Sequence, residues 1–320
     1  MQPSYKHYLK IIKNTCTGHE GPVTIPSEEL ADLARLAEEH CTVPFVLSSF
    51  RGTPFYSSML QRTRSMMLNY YQIDQFTRHT VSLLEDNGID CILLKGISLA
   101  SCYPVPEYRK LGDLDLYISR KSDVSKAQKL LEAHGYIAEN ELSDHHLTYH
   151  YTFPKTGRRF LLELHYRVVG MYQYERANQI VDQVYSFENL VPVSQTINDF
   201  TYSVLPPSEY VFYMIHHMLK HYLYSGFGIR LLCDFTFYLR KHADEIDFHK
   251  ITGARIPASV IFMRLFWKPA GSILASHSTL TPGFTMIHRT VRNFLSVFLK
   301  MEIWARMFPV SLSEVLPIRR

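Results

Sequence analysis

The feature that most constrains this 320-residue chain is a change of hydrophobic period along its length. Up to about residue 85 apolar residues recur three and four apart, as at Leu30, Leu33, Ala34 and Ala37, the spacing of a buried helix face. From 86 to 205 the apolar runs shorten to strand length. Ile89–Leu94 is one such run, and Leu111–Ser119 alternates. His146–Phe153 and Arg158–Val168 flank Pro154-Lys155-Thr156-Gly157, which reads as a four-residue hairpin turn. After Pro206–Pro207 the helical period returns over about 208–224 and 228–242. Helices, then strands of mixed direction, then helices predict an α+β fold. Its parts are an N-terminal helical region over 1–85, a small mixed-sheet core over 86–205 and a C-terminal helical domain over 206–320.

Local signals sharpen that outline. Ser27 is a suitable N-cap for a helix reaching about His40, and Pro54 opens a long helix that stops at Asn87–Gly88. A short helix is expected over Ile97–Tyr103, and another from Ser122–Asp123 to His134–Gly135. Two more short strands are expected near Tyr185–Val193 and Phe200–Leu205.

Composition enters where it excludes classes. With 46% hydrophobic and 20% charged residues the chain can bury a core. Mean hydropathy is −0.10 and no apolar run approaches the ~18 residues of a membrane span. The N-terminus lacks a signal-peptide core, so a soluble, cytoplasmic protein is expected. Five scattered cysteines without a CxxC pair argue against both a disulfide framework and a zinc site. The net charge of +4 is uneven: residues 251–320 carry nine Lys/Arg against two Asp/Glu. Those charges stand singly among apolar residues, so amphipathic helices are the preferred reading of the tail and nucleic-acid binding the lesser one.

The chemistry concentrates in Gly112-Asp113-Leu114-Asp115-Leu116. Residues i and i+2 of a strand share a face, so the two carboxylates would project together and repel unless a cation lies between them. Oxygen ligands at this spacing suit Mg²⁺ or a pair of divalent ions. If repulsion dominates, Asp113→Asn and Asp115→Asn leave the metal-free fold intact or slightly more stable. Upstream, Leu94-Lys95-Gly96-Ile97-Ser98 reads as a strand turning into a helix, where a glycine admits a phosphate and Ser98 offers a donor. Downstream, Glu163 lies inside the apolar strand Phe160-Leu161-Leu162-Glu163-Leu164-His165 as a candidate third carboxylate.

Taken in order, these segments carry a resemblance. LLKGISLASCYPVPEYRKLGDLDLYI, LELHYRV and HHMLKHYLYSGFGIRLLCDF, spanning about Phe76 to Phe248, resemble a family of uncharacterised bacterial nucleotidyltransferases. That family belongs to the superfamily similar to DNA polymerase β. The resemblance implies a Mg²⁺-dependent enzyme, with Mn²⁺ as an alternative ion, moving a nucleoside monophosphate from an NTP to an acceptor: a small molecule, a protein or RNA. It implies Asp113, Asp115 and Glu163 as metal ligands, Glu163 also assisting deprotonation of the acceptor. Gly96, Ser98 and Gly112 would meet the nucleotide. Two departures are visible: Ile97 stands between Gly96 and Ser98, and the third acid is Glu instead of the commoner Asp.

Lys95 and Arg109 are the natural phosphate partners, or else cations that neutralise neighbouring acids. His165 shares the face of Glu163 and could orient a carboxylate, touch the nucleotide or be structural. Arg230 could reach substrate from the helical region or pair with Asp234 at i, i+4. His217 and His221 have a chelating spacing but read better as a packed helix face. Two other functions stay open: a toxin or defence enzyme using the same chemistry, and a catalytically silent module that binds nucleotide or a partner.

Overall fold

The segment Leu114–Tyr117 (β2) is buried along its whole length, as expected for a strand flanked on both sides and covered on both faces. In the computed structural model, which describes residues 3–247 apart from 19–22, 141–142, 173–174 and 225–227, β2 sits in the middle of a seven-stranded sheet. The other strands are β1 (Ile92–Leu93), β3 (Ile137–Ala138), β4 (His146–Thr152), β5 (Arg159–His165), β6 (Val193–Ile197) and β7 (Phe200–Val204). Their spatial order is β3-β4-β5-β2-β1-β7-β6. β5 runs parallel to β2 and β7 parallel to β1, while the remaining neighbours are antiparallel. The fold is α+β with a mixed sheet.

Nine α-helices surround this sheet among the described residues: α1 (Pro3–Thr17), α2 (Leu30–Glu39), α3 (Val43–Val46), α4 (Tyr56–Glu85), α5 (Ile97–Ala100), α6 (Lys121–Ala133), α7 (Glu175–Val184), α8 (Pro207–Tyr224) and α9 (Ile229–Lys241). The alternation of β2 and β5 sends Leu114, Leu116, Leu162 and Leu164 to one face, where they share a core with Phe76 and Leu84 of α4 and Ala127 and Leu131 of α6. Phe76 stacks on Phe160 at 4.9 Å. The opposite face presents Ile92, Leu94 and Tyr117 to a second core with α1, α2, α8 and α9. It is this second face that carries the acids.

Several expected boundaries move. Ser27 lies inside a 3₁₀ turn, Ser27–Glu29, with no side-chain capping bond at its start. The strand expected over Leu111–Ser119 is hydrogen-bonded only from Leu114, so Asp113 precedes it. The run Tyr185–Val193 is not a strand: it follows α7, and the β6–β7 hairpin begins only at Val193. That hairpin turns on Asn198 and Asp199, both at positive φ (47° and 64°), the signature of a two-residue turn. The expectations for the tail beyond 247, its charge pattern included, lie outside the described residues. No described helix is long and apolar enough to cross a membrane.

Candidate active site

Leu94 still donates its N–H to the Asp115 carbonyl at 3.1 Å before the chain leaves the sheet. It then turns at Gly96, with φ 68° and ψ −126°, a conformation that a Cβ strains. Within this turn Lys95 reaches over the end of the sheet. Its Nζ lies 2.8 Å from Asp115 Oδ1 and 3.9 Å from Asp113 Oδ2. Parallel pairing places Glu163 directly beside Asp115, and β5 brings His165 to the same face two residues on.

His165 links the two strands. Its Nε2 is 3.3 Å from both Asp115 Oδ1 and Glu163 Oε2, and its Nδ1 is 3.3 Å from the Arg167 carbonyl. Burial opposes protonation of this ring, but the bonds to Asp115 and Glu163 prevail and raise its pKa. Burial likewise opposes ionisation of Glu163. The His165 bond and the Lys95 charge outweigh it and hold the carboxyl down at about 2. For Lys95, burial disfavours the ammonium, and the charges of Asp115, Asp113 and Glu163 more than restore it.

Asp115 is 1% exposed, and its two oxygens differ. Oδ1 faces Lys95 and His165; Oδ2 is buried with no hydrogen-bond partner. A buried carboxylate oxygen without a donor is costly, and one coordinated to a cation is not. Ligand atoms of Asp115, Glu163 and His165 lie within 4.8 Å of one another. With hard oxygen donors and an open valence on Asp115, the residues fit a divalent ion.

A sequence model of the family described as uncharacterised nucleotidyltransferase matches residues 26–256. The chain belongs to this family. Two solved structures are similar in part. One is an antigenic nucleotidyltransferase-like protein from Paracoccidioides brasiliensis, at 14% identity and a TM-score of 0.34, over 63% of this chain and 91% of that one. The other is JHP933 from Helicobacter pylori, at 13% identity and a TM-score of 0.35, over 75% and 96%. No curated protein matches the sequence.

The remaining expected residues of this family member divide into two groups. Gly112 is exposed, and a Cβ there would meet nothing within 4 Å. Ser98 is 4% exposed, and its hydroxyl donates to Gln195 Oε1 at 2.7 Å, so it is committed to the β6 strand and not to the mouth of the site. Arg109 pairs with an acid, the second of its two expected roles. Its Nε and Nη2 donate to the two carboxylate oxygens of Asp234 at 2.8 and 3.0 Å, and its Nη1 to the Gly96 carbonyl at 3.3 Å. Arg230 points at the same acid, 3.3 Å from Oδ2. Tyr103 donates its hydroxyl to Oδ1 at 2.5 Å. Its planar fork fastens the Gly96 turn to α9.

Three participants lie outside the expected site residues. Asp234 is the hub of this clamp; burial opposes its charge, but Arg109 and Arg230 hold its pKa below the usual carboxylate value. Tyr213 of α8 is buried close enough for the charges of Asp115, Glu163 and Asp113 to add to burial in raising its phenol pKa. His146 pairs in register with His165 across the β4–β5 hairpin, and the hairpin turn together with strand alternation was the signal that could have found it.

Proposed function

We propose that this chain is a metal-dependent nucleotidyltransferase in which Asp113, Asp115 and Glu163 hold Mg²⁺ or Mn²⁺ and an NTP supplies the nucleoside monophosphate. An acceptor oxygen attacks the α-phosphorus, the bond to the β-phosphate oxygen breaks, and pyrophosphate leaves. Bound at the three acids, the metal would neutralise phosphate charge and favour in-line geometry. The observation that carries the reading is the unpartnered Oδ2 of buried Asp115, whose neighbour in register on β5 is a second carboxylate, Glu163. Lys95 supplies a fixed positive charge at the same place and is the residue best set to meet the triphosphate. Glu163 stands beside Asp115 in register as the third carboxylate, and it would help to take the proton that the acceptor oxygen loses. Arg109 and Asp234 act on the nucleotide only through the Gly96 turn that they brace.

A direct test measures melting temperature and pyrophosphate release with each of the four NTPs, with and without Mg²⁺ or Mn²⁺. NTP and metal together should stabilise the wild type more than either alone, by an amount that grows with the logarithm of ligand excess over Kd. Asp113→Asn and Asp115→Asn should lose the joint shift and the release. A wild type indifferent to all four NTPs in both metals would sink the proposal.

A further inference from the structure

Sharing His165 with the carboxylates is a second set of ligands of different chemistry. His145, His146 and His165 each place one ring nitrogen within 4.8 Å of the others. His145 and His165 are buried and His146 is half-buried. The β4–β5 register explains the convergence, since His146 stands opposite His165 and His145 immediately precedes the strand. The His145 and His146 rings are already close, with Nε2 of one 3.0 Å from Nδ1 of the other.

Two of the three rings are held from behind by oxygen acceptors. Asp144 Oδ1 lies 2.6 Å from Nδ1 of His145, and Asp144 is itself fixed by the Met171 N–H at 2.8 Å. The Arg167 carbonyl faces Nδ1 of His165 at 3.3 Å. His145 thereby presents its Nε2 to His146, and His165 presents its Nε2 to Glu163 and Asp115. A carboxylate or carbonyl on the far nitrogen is the arrangement that orients imidazoles bound to metal. Glu163 Oε1 lies 4.0 Å from His146 Nε2.

We propose that His145, His146 and His165 form a binding site for Zn²⁺, with Glu163 as its oxygen-bearing neighbour. Three imidazoles suit a borderline ion of the zinc class, in contrast to the hard oxygen set that suits Mg²⁺. Tetrahedral zinc–nitrogen bonds of ~2.0–2.1 Å require nitrogens about 3.3 Å apart, so small rotations of the rings suffice. Bound there, the ion would occupy the His165 nitrogen that otherwise reaches the two acids. The inference does not depend on nucleotide transfer.

The test uses Co²⁺ as a spectroscopic stand-in, titrated into the chelator-treated full chain in excess Mg²⁺. One equivalent should bind with the intense visible absorption of a four-coordinate ion, and Zn²⁺ should abolish that band. His146→Gln should weaken Co²⁺ binding by more than about 100-fold, and Asp144→Asn by about 10–100-fold, the usual loss on removing an outer partner. Asp113→Asn should leave the band unchanged. Melting curves of each variant confirm folding, and the wild-type spectrum stands without them. A wild type that shows no band, or a band lost in Asp113→Asn and kept in His146→Gln, would overturn the proposal, the latter by placing the ion at the carboxylates.

Discussion

Asp115 has one oxygen shared by Lys95 and His165 and the other without a donor, and that asymmetry reverses an expectation drawn from charge repulsion alone. The resident ammonium already offsets the repulsion. Asp115→Asn should therefore destabilise the metal-free protein, by about 1–3 kcal/mol, because half-buried Lys95 loses its nearest carboxylate and keeps only Asp113 and Glu163. Asp113 is 37% exposed and sits 3.9 Å from Lys95, so Asp113→Asn should change stability by less than ~1 kcal/mol. Urea unfolding in a chelating buffer would separate the two. A second residue-scale prediction concerns His216, which is fully buried and whose pKa is pushed down to about 3 by burial and by nearby Arg167. Below about pH 6.5 the unfolded chain takes up a proton that the folded chain refuses, so stability falls as pH falls. Between pH 7 and 5 the wild type should lose about 2 kcal/mol more than His216→Gln, measured by urea unfolding at both pH values. Equal losses would mean the ring is protonated in the fold.

At the scale of elements, Gly96 and Gly112 form a matched pair. Neither would bring a Cβ within 4 Å of another group, but only Gly96 has a positive φ. Gly96→Ala should cost about 1–3 kcal/mol in conformational strain and lower the melting temperature, whereas Gly112→Ala should leave it nearly unchanged. The same elements show what the sequence could disclose. The long helix, the β4–β5 hairpin and the acid-bearing strands were legible because each has a local period and a local stop, such as Gly88 and Gly157, both at positive φ. Once the hairpin register was fixed, Glu163 and His165 had to share a face. The β6–β7 hairpin was misplaced toward Tyr185 because apolar Tyr185 and Leu190 pack against α8 and its neighbours without any ladder. The role of Arg109 was not legible because its partner lies 125 residues away, beyond any local pattern.

At the scale of the whole molecule, the Arg109–Asp234 clamp joins the loop ahead of β2 to α9. Truncating Arg109 to alanine would leave Asp234 buried and charged, at a cost of about 3–5 kcal/mol, and lysine would recover only part because it lacks the two-pronged geometry. Thermal melting of Arg109→Ala and Arg109→Lys, set beside NTP affinity by calorimetry, distinguishes this from direct phosphate contact. A bracing role lowers melting temperature in both variants, most in the alanine. A direct role lowers affinity at unchanged melting temperature.

The parallel pairing of β2 with β5 has a consequence for the order in which the molecule comes into being. Asp115 and His165 are separated by 50 residues of chain, so the acids cannot meet until the intervening helix and hairpin have been made and folded back. Long-range pairings of this kind form slowly, after local ones. On a ribosome, a nascent chain halted ahead of Glu163 would carry both aspartates yet lack their third companion. One halted just short of Asp234 would own all three without the brace that secures the Gly96 turn. Birth of the site is thereby deferred until nearly the whole described chain has emerged.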